Sequence, residues 1–179
     1  MRVLGIDPGT AVLGYGVVEG AARQPRLLEC GTLETTARDP LPARLRTIHD
    51  GIAALIARHR PDAVAVESVF YAKNARTTMV MSHARGVILL AAEEAGVPVV
   101  EYSPAMVKKA VVGRGAALKP QVGYMVAQLL RLKSAPTPAD AADGVALALT
   151  HVLRASRPAP IPAGGIPRAA ARPRAIGPA

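Results

Sequence analysis

The amino-acid sequence predicts a mixed α/β fold, in which helices flank a sheet of five strands. Three short apolar runs come first, in close succession, a pattern typical of an antiparallel meander. The apolar spacing then changes to a helical period, and each of the two later strand-like runs follows a helix. Helix-to-strand crossovers of this kind indicate parallel pairing, so we expect three antiparallel strands and then parallel ones.

The first three strands are separated by recognisable turns. Residues 2–7 form a short apolar run, and the tetrapeptide 7–10, Asp-Pro-Gly-Thr, ends it because Pro fixes one backbone dihedral and Gly permits the next. Residues 12–19 and 26–34 are the second and third predicted strands, joined by a polar turn over residues 20–25.

Helices alternate with the remaining strands. Leucine and isoleucine recur at helical spacing over residues 42–60, and residues 63–67 form the fourth strand. A long helix is expected over residues 75–95, closed by Gly96 as a C-cap, and it leads into a fifth strand over residues 97–101.

Three more helices complete the predicted domain. Ser103 is a suitable N-cap and Pro104 a suitable first residue for a helix that ends near residues 113–115. Further helices are expected over residues 120–132 and 138–154.

The composition changes after residue 155. Residues 156–179 consist almost entirely of Pro, Ala, Gly, Ile and Arg and contain no acidic residue. Such a segment buries too little apolar surface to fold alone. We therefore expect one folded domain over residues 1–155 and a disordered basic tail. The tail either adds nonspecific attraction to DNA or has no role, and the sequence leaves both alternatives open.

Charge and cysteine content narrow the function classes. The net charge of +9 favours a polyanionic partner such as nucleic acid. The single cysteine excludes a disulfide framework within the chain. The N-terminus lacks the apolar segment of a signal peptide, and the longest central apolar run, residues 87–92, is too short to span a bilayer. We expect a cytoplasmic protein with no membrane contact.

Four acidic residues occupy informative positions. Asp7 and Glu67 each end a predicted strand, and parallel neighbours would bring both to one edge of the sheet. Asp140 and Asp143 lie three residues apart, and hence on one face of the last predicted helix. Clustered carboxylates of this kind suit Mg²⁺ or Mn²⁺, and two such ions promote phosphodiester hydrolysis.

Other interpretations of these residues remain open on residue grounds. The 7–10 turn also resembles the phosphate-binding turn of actin-like ATPases and sugar kinases, although this chain has no second copy of it. Asp140 is equally compatible with a charge that favours the N-terminal end of a helix dipole. A DNA-binding module that has lost catalysis is a third alternative, against which the complete set of four acids argues.

With these motifs in place, the chain resembles the RuvC family of Holliday junction resolvases, in the ribonuclease H-like superfamily. The resemblance covers about residues 1–154 in order. The matching segments are Gly5-Ile6-Asp7-Pro8-Gly9-Thr10, Leu13-Gly14-Tyr15-Gly16, Glu67-Ser68-Val69-Phe70, Ala72-Lys73-Asn74-Ala75, Ala84-Arg85-Gly86, Val107-Lys108, Val111-Val112-Gly113, Lys119-Pro120-Gln121-Val122 and Asp140-Ala141-Ala142-Asp143.

The resemblance implies an endonuclease that makes symmetric nicks in two strands of like polarity at four-way DNA junctions. It implies that Asp7, Glu67, Asp140 and Asp143 are the catalytic acids, which hold two Mg²⁺ ions, with Mn²⁺ as a possible substitute. It also implies that Phe70 stacks on a base at the crossover.

Basic residues complete the implied DNA interface. Lys108 and Lys119 match lysines that face the scissile phosphate, and Lys119 is also expected to support negative charge in the transition state. Near Phe70, the residues Tyr71, Lys73 and Arg76 are candidate DNA contacts. Arg85 is a further candidate for the DNA backbone.

Two partners are implied by the same resemblance. A homodimer with two active sites suits a substrate of nearly two-fold symmetry. The helix over residues 75–95, with Met79, Met81, Val87 and Leu90, offers apolar surface for that contact. The branch-migration complex RuvA–RuvB is the other implied partner. The four histidines are expected to have structural or solvent-exposed roles.

Overall fold

The computed structural model describes residues 1–68 and 75–155, with backbone only for residues 75–77. The strands are β1 (Arg2–Asp7), β2 (Val12–Glu19), β3 (Arg26–Glu34), β4 (Ala63–Glu67) and β5 (Val99–Tyr102). The helices are α1 (Leu41–His59), α2 (Ala75–Glu94), α3 (Pro104–Val112), α4 (Lys119–Leu129) and α5 (Ala139–Ala155). No helix among the described residues has the length and apolar character needed to cross a membrane.

The predicted sheet is confirmed. Its strand order is β3-β2-β1-β4-β5, with β1, β2 and β3 antiparallel and with β4 and β5 parallel to β1. The pairing of Ile6 with Val66 sets the register of β1 and β4, so that Asp7 and Glu67 emerge side by side at the carboxyl edge.

Two hydrophobic cores lie on opposite faces of the sheet. One packs the sheet against α3, α4 and α5, and the other packs it against α1 and α2. Along β1, Val3 faces the first core, whereas Leu4 and Ile6 face the second. Because side chains alternate along a strand, Asp7 falls on the α5 face, and Glu67 does so for the same reason after Ala65.

Helix α5 lies against the sheet with almost no side chains between the two backbones. A Cβ atom added to Gly5 would lie 2.1 Å from the Gly144 carbonyl oxygen and 2.4 Å from the Ala148 nitrogen. A Cβ atom added to Gly144 would lie 2.6 Å from the Cα atom of Tyr15. Glycine is therefore required on both sides of this glycine seam, by which we mean Gly5, Gly14, Gly16 and Gly144.

Helix termini show how local sequence sets the element bounds. The Ser103 hydroxyl accepts a hydrogen bond from the Met106 amide at 3.2 Å, which confirms the predicted N-cap of α3. Gly96, with φ of 68°, follows α2 as predicted, and the Val97 amide donates to the Ala92 carbonyl.

Candidate active site

A cavity of about 280 Å³ opens at the carboxyl edge of the sheet, between β1, β4 and helices α3, α4 and α5. Three of the four predicted acids line it, together with both predicted lysines. The lining residues are Asp7, Glu67, Pro104, Val107, Lys108, Lys119, Val122, Asp143, Ala146 and Leu147. The cavity therefore unites residues that are more than 130 positions apart in the chain.

The carboxyl groups of Asp7 and Glu67 interact directly through a hydrogen bond. Burial, together with the negative charges of Glu67 and Asp143, raises the pKa of Asp7 to about 7, whereas the positive charge of Lys119 acts in the opposite direction. Burial also raises the pKa of Glu67. The two side chains therefore retain a shared proton at a pH where ordinary carboxyl groups have lost theirs.

Asp143 is paired with Lys119 across the mouth of the cavity. The Lys119 ammonium group donates a hydrogen bond of 2.9 Å to Asp143 Oδ2. This hydrogen bond raises the pKa of Lys119, with smaller contributions from Asp7 and Asp140. The lysine side chain is 77% exposed and the aspartate side chain 33% exposed, so the pair lies where a DNA phosphate has access.

Asp140 occupies a different position from the other three acids. It lies in the first turn of α5 and does not line the cavity. Its backbone carbonyl packs directly against Gly14, so that a Cβ atom added to Gly14 would lie 1.8 Å from the Asp140 carbonyl oxygen. The negative charge of Asp140 makes only a minor contribution to the raised pKa of Lys119.

The donor set fits a hard divalent cation in chemical type. Three carboxyl groups converge on one cavity, and the mutual repulsion that raises the pKa of Asp7 is what a cation would relieve. In residues 1–68 and 75–155, however, no group of three His, Cys, Asp or Glu side chains is arranged to hold a metal ion as it stands. Instead, Asp7 bonds to Glu67, whereas Asp143 bonds to Lys119.

Several predicted DNA contacts lie outside what the structure describes. Phe70, Tyr71 and Lys73 fall outside the described residues, and the same holds for the side chain of Arg76. Arg85 is described, and its guanidinium group forms an ion pair with Glu101 on β5. That pair gives Arg85 a structural partner between α2 and the sheet.

The histidines have the structural surroundings that we predicted. His49 bonds to Asp50 and Glu94 on the outside of α1, at 3.1 and 2.8 Å. His59 lies 2.8 Å from Glu29, and His151 accepts or donates a 2.8 Å hydrogen bond with Tyr102. None of these histidines lines the cavity.

The glycine seam is the feature of the site that motif analysis did not identify. In the sequence, Gly5, Gly14 and Gly16 stand out only as parts of the matching segments. The available signal was glycine in the middle of β1 and at alternate positions of β2, because glycine within a strand often marks close backbone approach. The seam fixes the height of α5 above the sheet and thereby places Asp143 beside Asp7.

Comparison with known proteins identifies the family. The family model described as crossover junction endodeoxyribonuclease RuvC matches residues 3–151. The curated RuvC of Halorhodospira halophila is 51% identical over 157 residues, which cover 88% of this chain and 93% of that protein. The RuvC of Syntrophomonas wolfei is 48% identical over 152 residues, with 85% and 88% covered.

Solved structures agree with the sequence comparison. Thermus thermophilus RuvC, solved in complex with a Holliday junction substrate, superposes with a TM-score of 0.83 at 43% identity, covering 87% of this chain and 94% of that one. The fowlpox virus resolvase shares the fold, with a TM-score of 0.54 at 12% identity, covering 88% of this chain and 100% of that one. The ATPase alternative is not favoured. The chain belongs to the RuvC family of crossover junction endodeoxyribonucleases, a nuclease family that depends on divalent metal ions.

Proposed function

We propose that the protein is a Holliday junction resolvase, which nicks two strands of like polarity at a four-way DNA junction during recombination and repair. The observation that carries this proposal is the cavity in which Asp7, Glu67 and Asp143 face two lysines. The net charge of +9 suits a DNA substrate, and the T. thermophilus relative was solved with a Holliday junction. The catalytically inactive alternative finds no support, because the acidic residues are all present.

The proposed cofactor is a pair of Mg²⁺ ions, for which Mn²⁺ can substitute. Asp7, Glu67 and Asp143 are the proposed ligands, and their carboxylate oxygens are the donors that both ions prefer. Asp140 is the proposed fourth acid, supported by its effect on Lys119 rather than by a place in the cavity lining. When bound, the ions supply an activated water and neutralise charge on the phosphate.

The lysines are proposed to act on the scissile phosphate. Lys119 carries its positive charge beside the carboxyl groups, where it can neutralise negative charge that develops on the phosphate oxygens. Lys108 lines the same cavity from α3 and is proposed to orient the phosphate. Breaking the 2.9 Å bond to Asp143 would free the Lys119 ammonium group for this task.

Residues 69–76 are proposed to form the junction-binding segment beside the site. Phe70 would stack on a base at the crossover, and the neighbouring residues Tyr71, Lys73 and Arg76 would contact the DNA. The support is their sequence position between Glu67, which lines the cavity, and α2.

A homodimer is proposed through the exposed face of α2. Met79 is 64% exposed and Leu90 is 52% exposed, and with His83 and Gly86 they follow the helical spacing of one face. Two copies related by two-fold symmetry would present two cavities to one junction. Residues 1–155 are the proposed nuclease domain, and RuvA–RuvB is a proposed further partner.

A synthetic mobile four-way junction tests the function directly. We expect wild-type protein with Mg²⁺ to make symmetric nicks in two strands of like polarity. Asp7→Asn should abolish nicking because it removes a proposed ligand, and it should leave junction binding largely intact in an electrophoretic shift assay.

Matched substrates and conditions separate the parts of this proposal. Linear duplex of the same sequence should remain uncut, and equal cutting of duplex and junction would refute the junction assignment. Omission of divalent metal should stop the reaction. Normal nicking by Asp7→Asn would refute the proposed ligand set.

A further inference from the structure

A second groove lies directly beside the catalytic cavity. It has a volume of about 610 Å³ and runs between α4, the start of α5 and the segment 133–137 that joins them. Lys119, Val122 and Asp143 line both the groove and the cavity, so the two spaces adjoin at the position proposed for the scissile phosphate.

The floor of the groove is apolar and made of small residues. Gly123 and Ala127 on α4 face Ala135, Ala139 and Ala142 on the other wall. A Cβ atom added to Gly123 would lie 3.5 Å from the Ala135 Cβ atom, so the walls approach closely there. A volume in this range holds ligands of the size of a nucleotide, since small-molecule sites span roughly 300–1,000 Å³.

The rim of the groove is polar and carries surplus positive charge. Lys119 and Lys133 face a single carboxyl group, that of Asp143, which is already bonded to Lys119. Gln128 and Ser134 add groups that can donate and accept hydrogen bonds. An apolar floor below a positive rim complements a nucleotide, whose base is flat and whose phosphate is negative.

Tyr124 is the only aromatic residue among the described residues that line the groove, and it is 63% exposed. It lies four residues before Gln128 on α4, so both side chains occupy one face of that helix. An aromatic ring that is exposed beside a phosphate site gains little from packing within the domain. The same ring offers a stacking surface to any base, whatever its sequence.

We propose that this groove binds an unstacked base of the strand being cut, next to the scissile phosphate, with the Tyr124 ring as its stacking platform. The inference rests on the proposed function, because it needs a DNA strand that passes through the catalytic cavity. Tyr124 is thus a positioning residue, which holds the strand while the residues of the cavity act on the phosphate.

The test combines variants of Tyr124 with abasic sites in the junction. Tyr124→Ala should slow single-turnover nicking by roughly 5- to 150-fold, the range that corresponds to the loss of one stacked base. Tyr124→Phe should nick at nearly the wild-type rate because the ring remains. Tyr124→Leu should be as slow as Tyr124→Ala, since it keeps apolar bulk without a ring.

Abasic sites identify the stacked base. Each nucleotide within three positions of the nick is replaced in turn, and rates are measured for wild type and for Tyr124→Ala. One replacement should slow the wild type as much as the loss of the ring does, and it should not slow Tyr124→Ala further. Such coupling at one position reports a direct contact, which a structural role of Tyr124 would not produce.

The outcomes are distinct. Nicking by Tyr124→Ala at the wild-type rate, or additive losses at every abasic position, would overturn the groove assignment while the proposed function stands. The groove would then suit a peptide of a partner protein. Failure of the wild type to nick any junction would overturn the proposed function and this inference together. Melting temperatures within about 2 °C of wild type confirm that the variants are folded.

Discussion

Asp7 holds a carboxyl group in surroundings that disfavour its charge. It follows the buried residues of β1, it shares a hydrogen bond with Glu67, and it feels the charge of Asp143. A carboxyl group placed in this way costs stability unless a cation accompanies it. This unfavourable position of Asp7 is consistent with the metal site proposed above, because a bound cation would offset the cost.

Replacing Asp7 should show this cost in metal-free protein. The folded pKa of about 7 lies above the ordinary value of 3.8, so the wild type loses stability as pH rises from about 4 to about 7. Asp7→Asn lacks the part of this loss that comes from Asp7. In EDTA, its unfolding free energy relative to wild type should therefore increase by roughly 1–3 kcal/mol between pH 5 and pH 8. Thermal unfolding of both proteins at pH 5 and pH 8 measures this difference in unfolding free energy. The prediction is wrong if the difference is the same at the two pH values.

Adjacent lysines on α3 provide a matched comparison. Lys108 lines the cavity, whereas Lys109 is exposed and does not. We expect Lys108→Ala to lower the nicking rate by roughly 10-fold or more, because a charge near the reacting phosphate is lost. Lys109→Ala should change the rate less than about twofold. Equal effects of the two substitutions would indicate a general electrostatic contribution to DNA binding.

Elements place the acids through pairing register and through the glycine seam. The register of β1 and β4 aligns Asp7 with Glu67, and side-chain alternation turns both toward α5. The seam then brings α5 close enough for Asp143 to share the cavity. The convergence of these acids thus depends on close backbone-to-backbone contact between α5 and the sheet.

Two helical glycines should respond to alanine in opposite directions. Gly144→Ala places a Cβ atom 2.6 Å from the Tyr15 Cα atom, which forces α5 away from the sheet and should cost roughly 1–3 kcal/mol or more. Gly123→Ala meets nothing closer than 3.5 Å and should stabilise α4 by up to about 1 kcal/mol. Denaturant unfolding of both variants measures the difference.

Activity gives a second measurement of the seam. A shift of α5 also moves Asp143, so Gly144→Ala should nick more slowly even under conditions where it is fully folded. Wild-type stability and nicking in Gly144→Ala would contradict the role assigned to the seam.

Sequence patterns predicted the type and order of every described helix and strand, but some bounds needed tertiary information. We expected the fifth strand to begin at residue 97, and it begins at Val99. The Val97 amide is already bonded to Ala92 at the end of α2, and Pro98 has no amide hydrogen to donate. The pairing of β5 with β4 therefore starts two residues after the apolar run begins.

The end of α4 shows the same limit. We expected the helix to reach residue 132, and it ends at Leu129. Arg131 adopts a φ of 56°, and the Leu132 amide bonds to the Ala127 carbonyl to close the helix. Left-handed caps usually carry Gly or Asn, so an arginine in this role gives no sequence signal. In the candidate site, the acids were predicted from their positions and the lysines from the family resemblance, whereas Tyr124 and the glycine seam emerged only from packing.

On the scale of the whole molecule, charge and exposed apolar surface indicate what the domain meets. The surplus of positive charge suits DNA, and exposed apolar residues on α2 suit a second copy of the chain. Helix α2 itself packs on the side of the sheet opposite α5, which contributes Asp143 to the cavity.

A charge on the exposed face of α2 tests the proposed dimer. Leu90→Glu should shift the protein to monomer in light scattering because a buried carboxylate would lack a partner at the interface. Leu118→Glu is the control, since Leu118 is 67% exposed and lies away from α2, at the N-cap of α4. A dimer that survives Leu90→Glu would place the interface elsewhere. A monomeric Leu90→Glu variant should also no longer make the two nicks in one junction nearly simultaneously.

The sheet divides the interior into two cores, and this division affects which substitutions such an enzyme can accept during evolution. Residues packed against α1 and α2 form a core of their own, separate from the core beneath the catalytic cavity. Substitutions that adapt the first core to a new growth temperature or a new subunit contact are shielded from the acids by the thickness of the sheet. The fold thereby lets stability and assembly evolve on one side while the chemistry on the other side stays fixed.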